Sequence, residues 1–257
     1  MAQDPMQDKT KLTDAEWEAI VKHLKAIPRV YIGSYIKCRH FLDAVLWILR
    51  VGGQWRSLPP ERGKWSRVFK RFSRWCQHGI WEDLHARFAQ DADLQDVSID
   101  SSVIRAQACA AGAKGSNGKA EALGRSRGGF GSKIHTAVDA LGLPVRFILT
   151  PSQSADVTQA IPLMEGRPAG ACLADKAYDS DAFVEWLGDR SIKVVIPPKL
   201  NRTHPRHGDW WHYKERPVVE CLFGKLKYDC RIATRYEKKA INFMGMLSLA
   251  AVLLWSG

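Results

Sequence analysis

Residues 133–150, KIHTAVDALGLPVRFILT, set the character of the chain. Two apolar runs flank a polar interruption at Asp139–Leu143, where Gly142 supplies the freedom a tight turn needs. The stretch reads as two strands of a hairpin. Just upstream, DVSIDSSVIRAQ (residues 96–107) alternates around Val97, Ile99, Val103 and Ile104 as a further strand. Downstream the pattern predicts a helix over about Val157–Met164, the apolar strand ACLAD (171–175), a helix over about Ser180–Asp189 and the strand KVVIP (193–197). A polar, Trp-rich loop (197–212) leads to a helix around Pro217–Tyr228, and an apolar helix starting near Ala240 follows.

Strands that first form a meander and then alternate with helices imply an α/β class, a mixed sheet flanked by helices. The order β-β-β-α-β-α-β-α is compatible with a ribonuclease H-like domain over residues 93–257. Within it, residues 108–132 are rich in Ala, Gly, Ser, Lys and Arg with Glu121 as the one acid, which reads as a mobile basic loop. Residues 12–92 carry helical periodicity instead. LTDAEWEAIVKHL opens with Thr13 and Glu16 in capping-box spacing. A second helix fits about Lys37–Val51 and is stopped by Gly52–Gly53, and QWRSLPPERG is a connector because paired prolines cannot continue a helix. Helices over Lys64–Gln77 and about Ile80–Ala89 complete a small all-helical domain, preceded by a flexible tail at 1–11.

Apolar residues make up 46% of the chain and ten are tryptophan, enough to bury a core and to exclude disorder over most of the length. Thirty-eight Lys and Arg against 27 Asp and Glu give a formal charge of +11, which favours a polyanion: nucleic acid or an anionic membrane surface. Residues 1–90 hold 16 of those cations and 9 of those acids, so most of the excess lies in the first third. Six scattered cysteines without a CxxC pair read as reduced, mostly buried thiols of a cytoplasmic protein, and the polar N-terminus is no secretory signal. The uncharged run Ala240–Ser256 is short for a membrane span of roughly 20 residues and reads as a helix closing a core.

The segment KWSRVFKRFSRWCQ (64–77) contains no acid. At helical spacing Arg67, Lys70, Arg71 and Arg74 share one face, and Trp65, Val68, Phe69, Phe72, Trp75 and Cys76 occupy the other. A helix with an aromatic back and four cations forward suits a DNA groove or phosphate ridge.

Three acids carry candidate chemistry. Asp100 lies inside a strand whose neighbours are apolar, where an acid is costly unless paired or bound to a cation. Asp175 ends the strand ACLAD, the edge at which an α/β sheet presents functional groups. Each also reads as a cap or turn residue. YKERPVVECLFGKLK (213–227) places Tyr213, Arg216, Glu220 and Lys227 in the spacing Y-x2-R-x3-E-x6-K, with both later residues within about 60° of Arg216 on one helical face. Such a carboxylate between cations is either a salt-bridge ladder or a metal ligand beside phosphate-binding groups.

That spacing, with the acids of SIDSSVIRAQ and LADKAYDS, resembles the DDE-type insertion-sequence transposases of the fourth and fifth families. KLKYDCRIATRYEK and the leader segments LTDAEWEAI, AVLWILRVGGQWRSLPP and WSRVFKRFSRW resemble the fifth in particular, so the likeness runs from about Leu12 through the last helix. The resemblance implies a ribonuclease H-like core with Asp100, Asp175 and Glu220 as a catalytic triad holding two Mg2+ ions, for which Mn2+ substitutes. Asp100 would bridge both ions, and Asp175 and Glu220 would each hold one. Hard divalent cations want oxygen ligands, and a pair about 3.5–4 Å apart activates a water or 3′-hydroxyl while stabilising the leaving oxygen. Arg216 and Lys227 would contact phosphates near the scissile bond with Tyr213 beside them, and Lys133 and His135 are candidates to line the same groove. His135 has a structural reading too. Asp156 reads as an N-cap rather than a fourth ligand.

Pro217 disfavours helical geometry at Arg216 and suits the first helical position, so Glu220 is expected in the first turn with Arg216 at its mouth. Trp210–Trp211 reads as local packing, with a wedge between DNA ends as the alternative. His204, His207 and His212 lack the cysteine pair of a closed zinc site. The expected partners are the terminal inverted repeats of an insertion sequence and target DNA, bound by a homodimer or higher assembly without a membrane. A catalytically inactive DNA-binding regulator and a ribonuclease H-like nuclease or resolvase are the competing functions.

Overall fold

The computed structural model of the chain describes residues 10–112, 120–200, 202, 209–214 and 216–257. Helix α1 (Asp14–Lys25) starts as its capping box requires: the Thr13 hydroxyl accepts from the Glu16 amide at 3.2 Å, and Glu16 Oε2 accepts from the Thr13 amide at 2.7 Å. Helix α2 (Tyr35–Val51) ends at Gly52 in the left-handed region, φ +72°. A β-carbon there would also stand 2.7 Å from the Cys230 Cβ, so both backbone conformation and packing demand glycine. Two short 3-10 turns around Pro59–Pro60 lead to α3 (Trp65–Gln77) and α4 (Ile80–Phe88).

Seven strands among the described residues form one sheet: β1 (Asp96–Ala106), β2 (Gly124–Ser126), β3 (Gly129–Val138), β4 (Pro144–Pro151), β5 (Ala171–Leu173), β6 (Lys193–Val195) and β7 (Thr234–Arg235). The long strands run β4-β3-β1-β5-β6, with β3 antiparallel to β1 and β4, and β5 and β6 parallel to β1. A three-stranded meander extended from its first strand by two parallel ones is the ribonuclease H-like topology. The crossovers are α5 (Ala160–Met164) and α6 (Asp181–Gly188), and then come α7 (Trp210–Tyr213), α8 (Pro217–Lys227), α9 (Cys230–Ala233) and α10 (Ala240–Ser256).

The basic loop expected over 108–132 is shorter than its composition suggested. Residues 113–119 lie outside the described residues, but β2 and the first turns of β3 form a paired ribbon from Gly124 onward. Glycine is required at 131, where a β-carbon would come within 2.3 Å of the Ile104 carbonyl oxygen. Most of the expected tail, residues 1–9, also lies outside, while Thr10 is tied down by the Arg62 guanidinium at 2.7 Å.

Strand alternation sorts the core into two halves. Val97, Ile99 and Ala137 face α5 and α6. Ile104, Ile134 and Val138 face the other way, into one continuous core with α8, α10 and all four N-terminal helices. Residues 12–92 therefore share their core with the sheet. Helix α10 is what joins them: Phe243, Met246, Leu247, Leu249, Ala250 and Val252 are buried against α1, α3, α4 and β4. At Gly245 a β-carbon would meet the Cys76 sulfur at 2.6 Å, a measure of how closely α10 approaches α3. No helix among the described residues is long and apolar enough to cross a membrane. All six cysteines are free, but Cys109, Cys221 and Cys230 are exposed, against the expectation that most would be buried.

Candidate active site

The even-numbered residues of β1 face α8, so Asp100 and Ser102 point toward that helix. Asp175 follows by register. Asp96 pairs with Ala171 and Ser98 with Leu173, and the same offset carried two residues further aligns Asp100 with Asp175. There the β5 chain turns into a short 3-10 helix whose first free amide, from Ala177, donates to Asp175 Oδ1 at 2.9 Å. Asp175 is thus both a cap and the acid beside Asp100.

Helix α8 supplies the third acid. Val219, Leu222, Phe223 and Leu226 are buried, which leaves Glu220 in the first turn near the sheet but with its side chain 61% exposed. Pro217 occupies the first helical position as expected. The backbone of Arg216, however, is helical (φ −53°, ψ −33°), against the steric preference of a residue before proline. Its amide donates to the Tyr213 carbonyl and its own carbonyl accepts from Val219, so two hydrogen bonds carry the chain from α7 into α8 and override that preference. Lys227, at the far end of α8, donates to Ser102 Oγ at 3.0 Å and latches the helix to β1. At the near end His212 Nε2 lies 2.8 Å from Asp96 Oδ2, and Tyr213 packs against Ala171, Leu173 and Val195 with the Arg216 guanidinium 5.9 Å from its ring centre.

Arg216 is the centre of charge. Its Nη1 donates to Glu220 Oε1 at 2.8 Å, and its Nη2 lies 3.6 Å from Asp100 Oδ2. Burial raises the Asp100 carboxyl above its ordinary range, and the negative charges of Asp175 and Glu220 add to the rise. The Ser101 amide, 2.7 Å from Oδ1, and Arg216 oppose it. Tyr178, 1% exposed beneath these acids, is likewise raised, first by burial and then by the charges of Asp156, Asp100 and Asp175. An all-oxygen donor set that is short of positive charge is the chemistry a hard divalent cation fits. Among the described residues no three His, Cys, Asp or Glu side chains converge closely enough to hold one, because Glu220 is turned outward onto Arg216.

Two of the expected groove residues lie elsewhere. Asp100 pairs with Thr136, so Lys133 and His135, paired with Val103 and Ser101, point to the opposite face of the sheet. His135 is fully buried, with Nε2 2.8 Å from Thr150 Oγ1. Lys133 Nζ is held at 2.8 Å by both Asp156 Oδ1 and the Ser154 carbonyl. Asp156 is not the N-cap; Ala155 is. The Asp156 carboxylate also accepts from Ser101 Oγ at 2.7 Å, so the residue after Asp100 is anchored from behind by a network that hydropathy did not reveal. Its one visible sign was strand alternation, which assigns Asp100 and Ser101 to opposite faces.

On α3, Arg67, Lys70 and Arg74 are exposed. Arg71 is not presented with them: its guanidinium lies 4.3 Å from the Phe41 ring centre and 5.0 Å from that of Trp75, and it donates to Cys38 Sγ. His204 and His207 fall outside the described residues, and Trp211 is exposed with Lys214 over its ring.

Residues 91–255 match the family described as the transposase DDE domain, and residues 12–85 match one described as putative transposase of the IS4/5 family. The putative transposase for insertion sequence element IS6501 of Brucella ovis is 40% identical over 127 residues, 48% of this chain and 97% of that protein. The putative transposase for IS402 of Burkholderia cepacia is 35% identical over 136 residues, 48% of this chain and 62% of that one. Among solved structures, the piggyBac transposase in a synaptic complex with hairpin DNA aligns with 99% of this chain and 68% of its own, at 11% identity and a TM-score of 0.48.

Proposed function

The chain belongs to the DDE transposases of insertion sequences, and from that premise we propose that it binds terminal inverted repeats and cuts and joins DNA at a site formed by Asp100, Asp175 and Glu220. The observation that carries this reading is the alignment of Asp100 with Asp175 on the sheet face covered by α8, with Glu220 and Arg216 in that helix's first turn. Two Mg2+ ions, with Mn2+ as substitute, would be held by the three carboxylates and would supply nucleophile activation and leaving-oxygen stabilisation. The residues of this chain do the rest. Arg216 keeps Glu220 and Asp100 from repelling one another before ions bind, and is then free to contact a phosphate near the scissile bond. Lys227 fixes α8 on β1 and adds a cation, and Tyr213 supports the Arg216 guanidinium. Ser101, anchored by Asp156, Lys133 and the buried strand around His135, holds the backbone that presents Asp100.

Arg67, Lys70 and Arg74 on α3 are the proposed phosphate contacts of the helical region, with Arg71 organising the helix behind them. Cutting two element ends together calls for a homodimer or larger assembly on DNA, in the cytoplasm. The test is cleavage of a labelled repeat-end duplex with Mg2+ or Mn2+. Asp100→Asn, Asp175→Asn and Glu220→Gln should each abolish nicking and strand transfer while repeat binding persists. Cleavage by all three at the parental rate would refute the triad. Binding without cleavage by the parent protein would mark a DNA-binding regulator, and cleavage indifferent to end sequence a nuclease.

A further inference from the structure

A second cavity lies apart from the carboxylates, between α3 and the segment joining α9 to α10. It encloses about 360 Å3. Its walls are aromatic: Trp55 and Phe69, with ring centres 5.2 Å apart, and Tyr236 across from them. Two acidic or amide side chains line it, Glu237 and Asn242, and both are more than nine-tenths buried. Glu237 Oε1 is taken by Arg231 Nε at 2.7 Å, but Glu237 Oε2 and Asn242 Oδ1 have no hydrogen-bond partner. A buried acceptor left unpaired costs on the order of 1–3 kcal/mol, so two of them on one cavity describe a site that lacks its donors. Lys238 and Lys239 stand exposed at the rim.

We infer that this cavity receives a single unstacked nucleobase of the bound DNA, one that presents N–H donors, with guanine the best fit; this rests on the transposase reading above. Flat rings suit stacking on a base face, which tolerates any base. The two free acceptors discriminate: guanine offers both an imino and an amino donor on its pairing edge, whereas thymine offers one imino donor between two carbonyls that would face the acceptors. The lysines suit the flanking phosphates. The location is consistent with a strand running to the carboxylates. Strand β7, which leads directly into Tyr236 and Glu237, pairs with β1 at Arg105, about 17 Å along the strand from Asp100. That is the length of about five stacked nucleotides. On the other side the cavity is bordered by Phe69 and Ser73, one turn apart on α3 and next to the exposed Lys70 face.

The experiment uses the full chain and short repeat-end duplexes that are fully paired or carry one extrahelical nucleotide: guanine, thymine or an abasic site. Affinity is read by fluorescence anisotropy. The guanine bulge should bind about 10-fold more tightly than the abasic bulge, within what base–aromatic stacking contributes, and thymine should gain less. Phe69→Ala and Asn242→Leu should each reduce that gain severalfold and leave the paired duplex bound as before. Thermal melts check folding, and Lys238→Ala, an exposed change, gives a second variant that cannot unfold the core. Equal binding of the three bulged duplexes would overturn the inference and leave the transposase reading intact. So would an Asn242→Leu protein that is more stable yet keeps the guanine preference, since water then serves the acceptors. Loss of binding to every duplex by the parent protein would instead refute the DNA-binding reading, and this inference with it.

Discussion

His85 joins the helical region to the sheet, and its protonation should loosen that joint. The ring is buried on α4, and its Nε2 lies 2.8 Å from the carbonyl oxygen of Pro144 at the start of β4. The same carbonyl accepts from Trp255 Nε1 on α10 at 2.8 Å, so Nε2 must carry the hydrogen and the ring is neutral. Burial pulls the imidazole down from 6.5 to about 4; the Pro144 bond opposes this and Arg167 adds to it. A histidine whose folded value is depressed is protonated first in the unfolded chain, so stability is full above the unfolded value and falls as pH drops from 6.5 toward 4. With those two values the loss between pH 7 and pH 5 is about 2 kcal/mol. His135, also buried and pulled down to about 4, adds a similar term. Urea unfolding at several pH values measures it. The His85→Gln protein keeps a donor for Pro144 without the titration, so it should be less stable than the parent at pH 7 and lose about 2 kcal/mol less on going to pH 5. Parallel curves for the two proteins across that range would refute the argument.

Charge reversal at Arg67, Lys70 and Arg74 should weaken repeat-end binding and flatten its dependence on salt. Arg71→Gln should leave the salt slope nearly unchanged and lower thermal stability instead, by about 1–2 kcal/mol for a guanidinium packed on two rings. The Asp100→Asn protein, besides losing cleavage, should be more stable than the parent at neutral pH. The raised Asp100 carboxyl means that its ionised form opposes folding, and the gain should vanish at a pH low enough to protonate Asp100 in both states. Chemical denaturation at two pH values checks it.

The sequence revealed elements wherever one local rule dominated. The Thr13–Glu16 capping box, the Gly52 stop, the turn at Asp139–Leu143 and Pro217 at the head of α8 each follow from a few adjacent residues. What pairing alone decides was less legible. Lys133 and His135 look like groove residues because they follow a basic stretch, but their face of the sheet is fixed by the β1–β3 register, a long-range property. Arg71 fits the cationic stripe of α3 until Phe41, from another helix, takes its guanidinium. β2 and β7 are three and two residues long, too short for any periodicity. The three acids could be picked out by type and spacing, while the outward turn of Glu220 onto Arg216 is a matter of competing charges.

Helix α10 also sets a schedule for the nascent chain. The apolar faces of α1, α3 and α4 close only around Phe243, Met246 and their neighbours. Residues 89–239 must be translated in between, an interval on the order of ten seconds. Until then the proposed DNA-contacting helix has no completed core behind it, and a peptide halted before Ala240 never obtains one. Ribosomal products that stop short are therefore unlike a free repeat-binding domain: they cannot assemble α1–α4 in isolation, so they should be cleared by proteolysis before they compete for element ends.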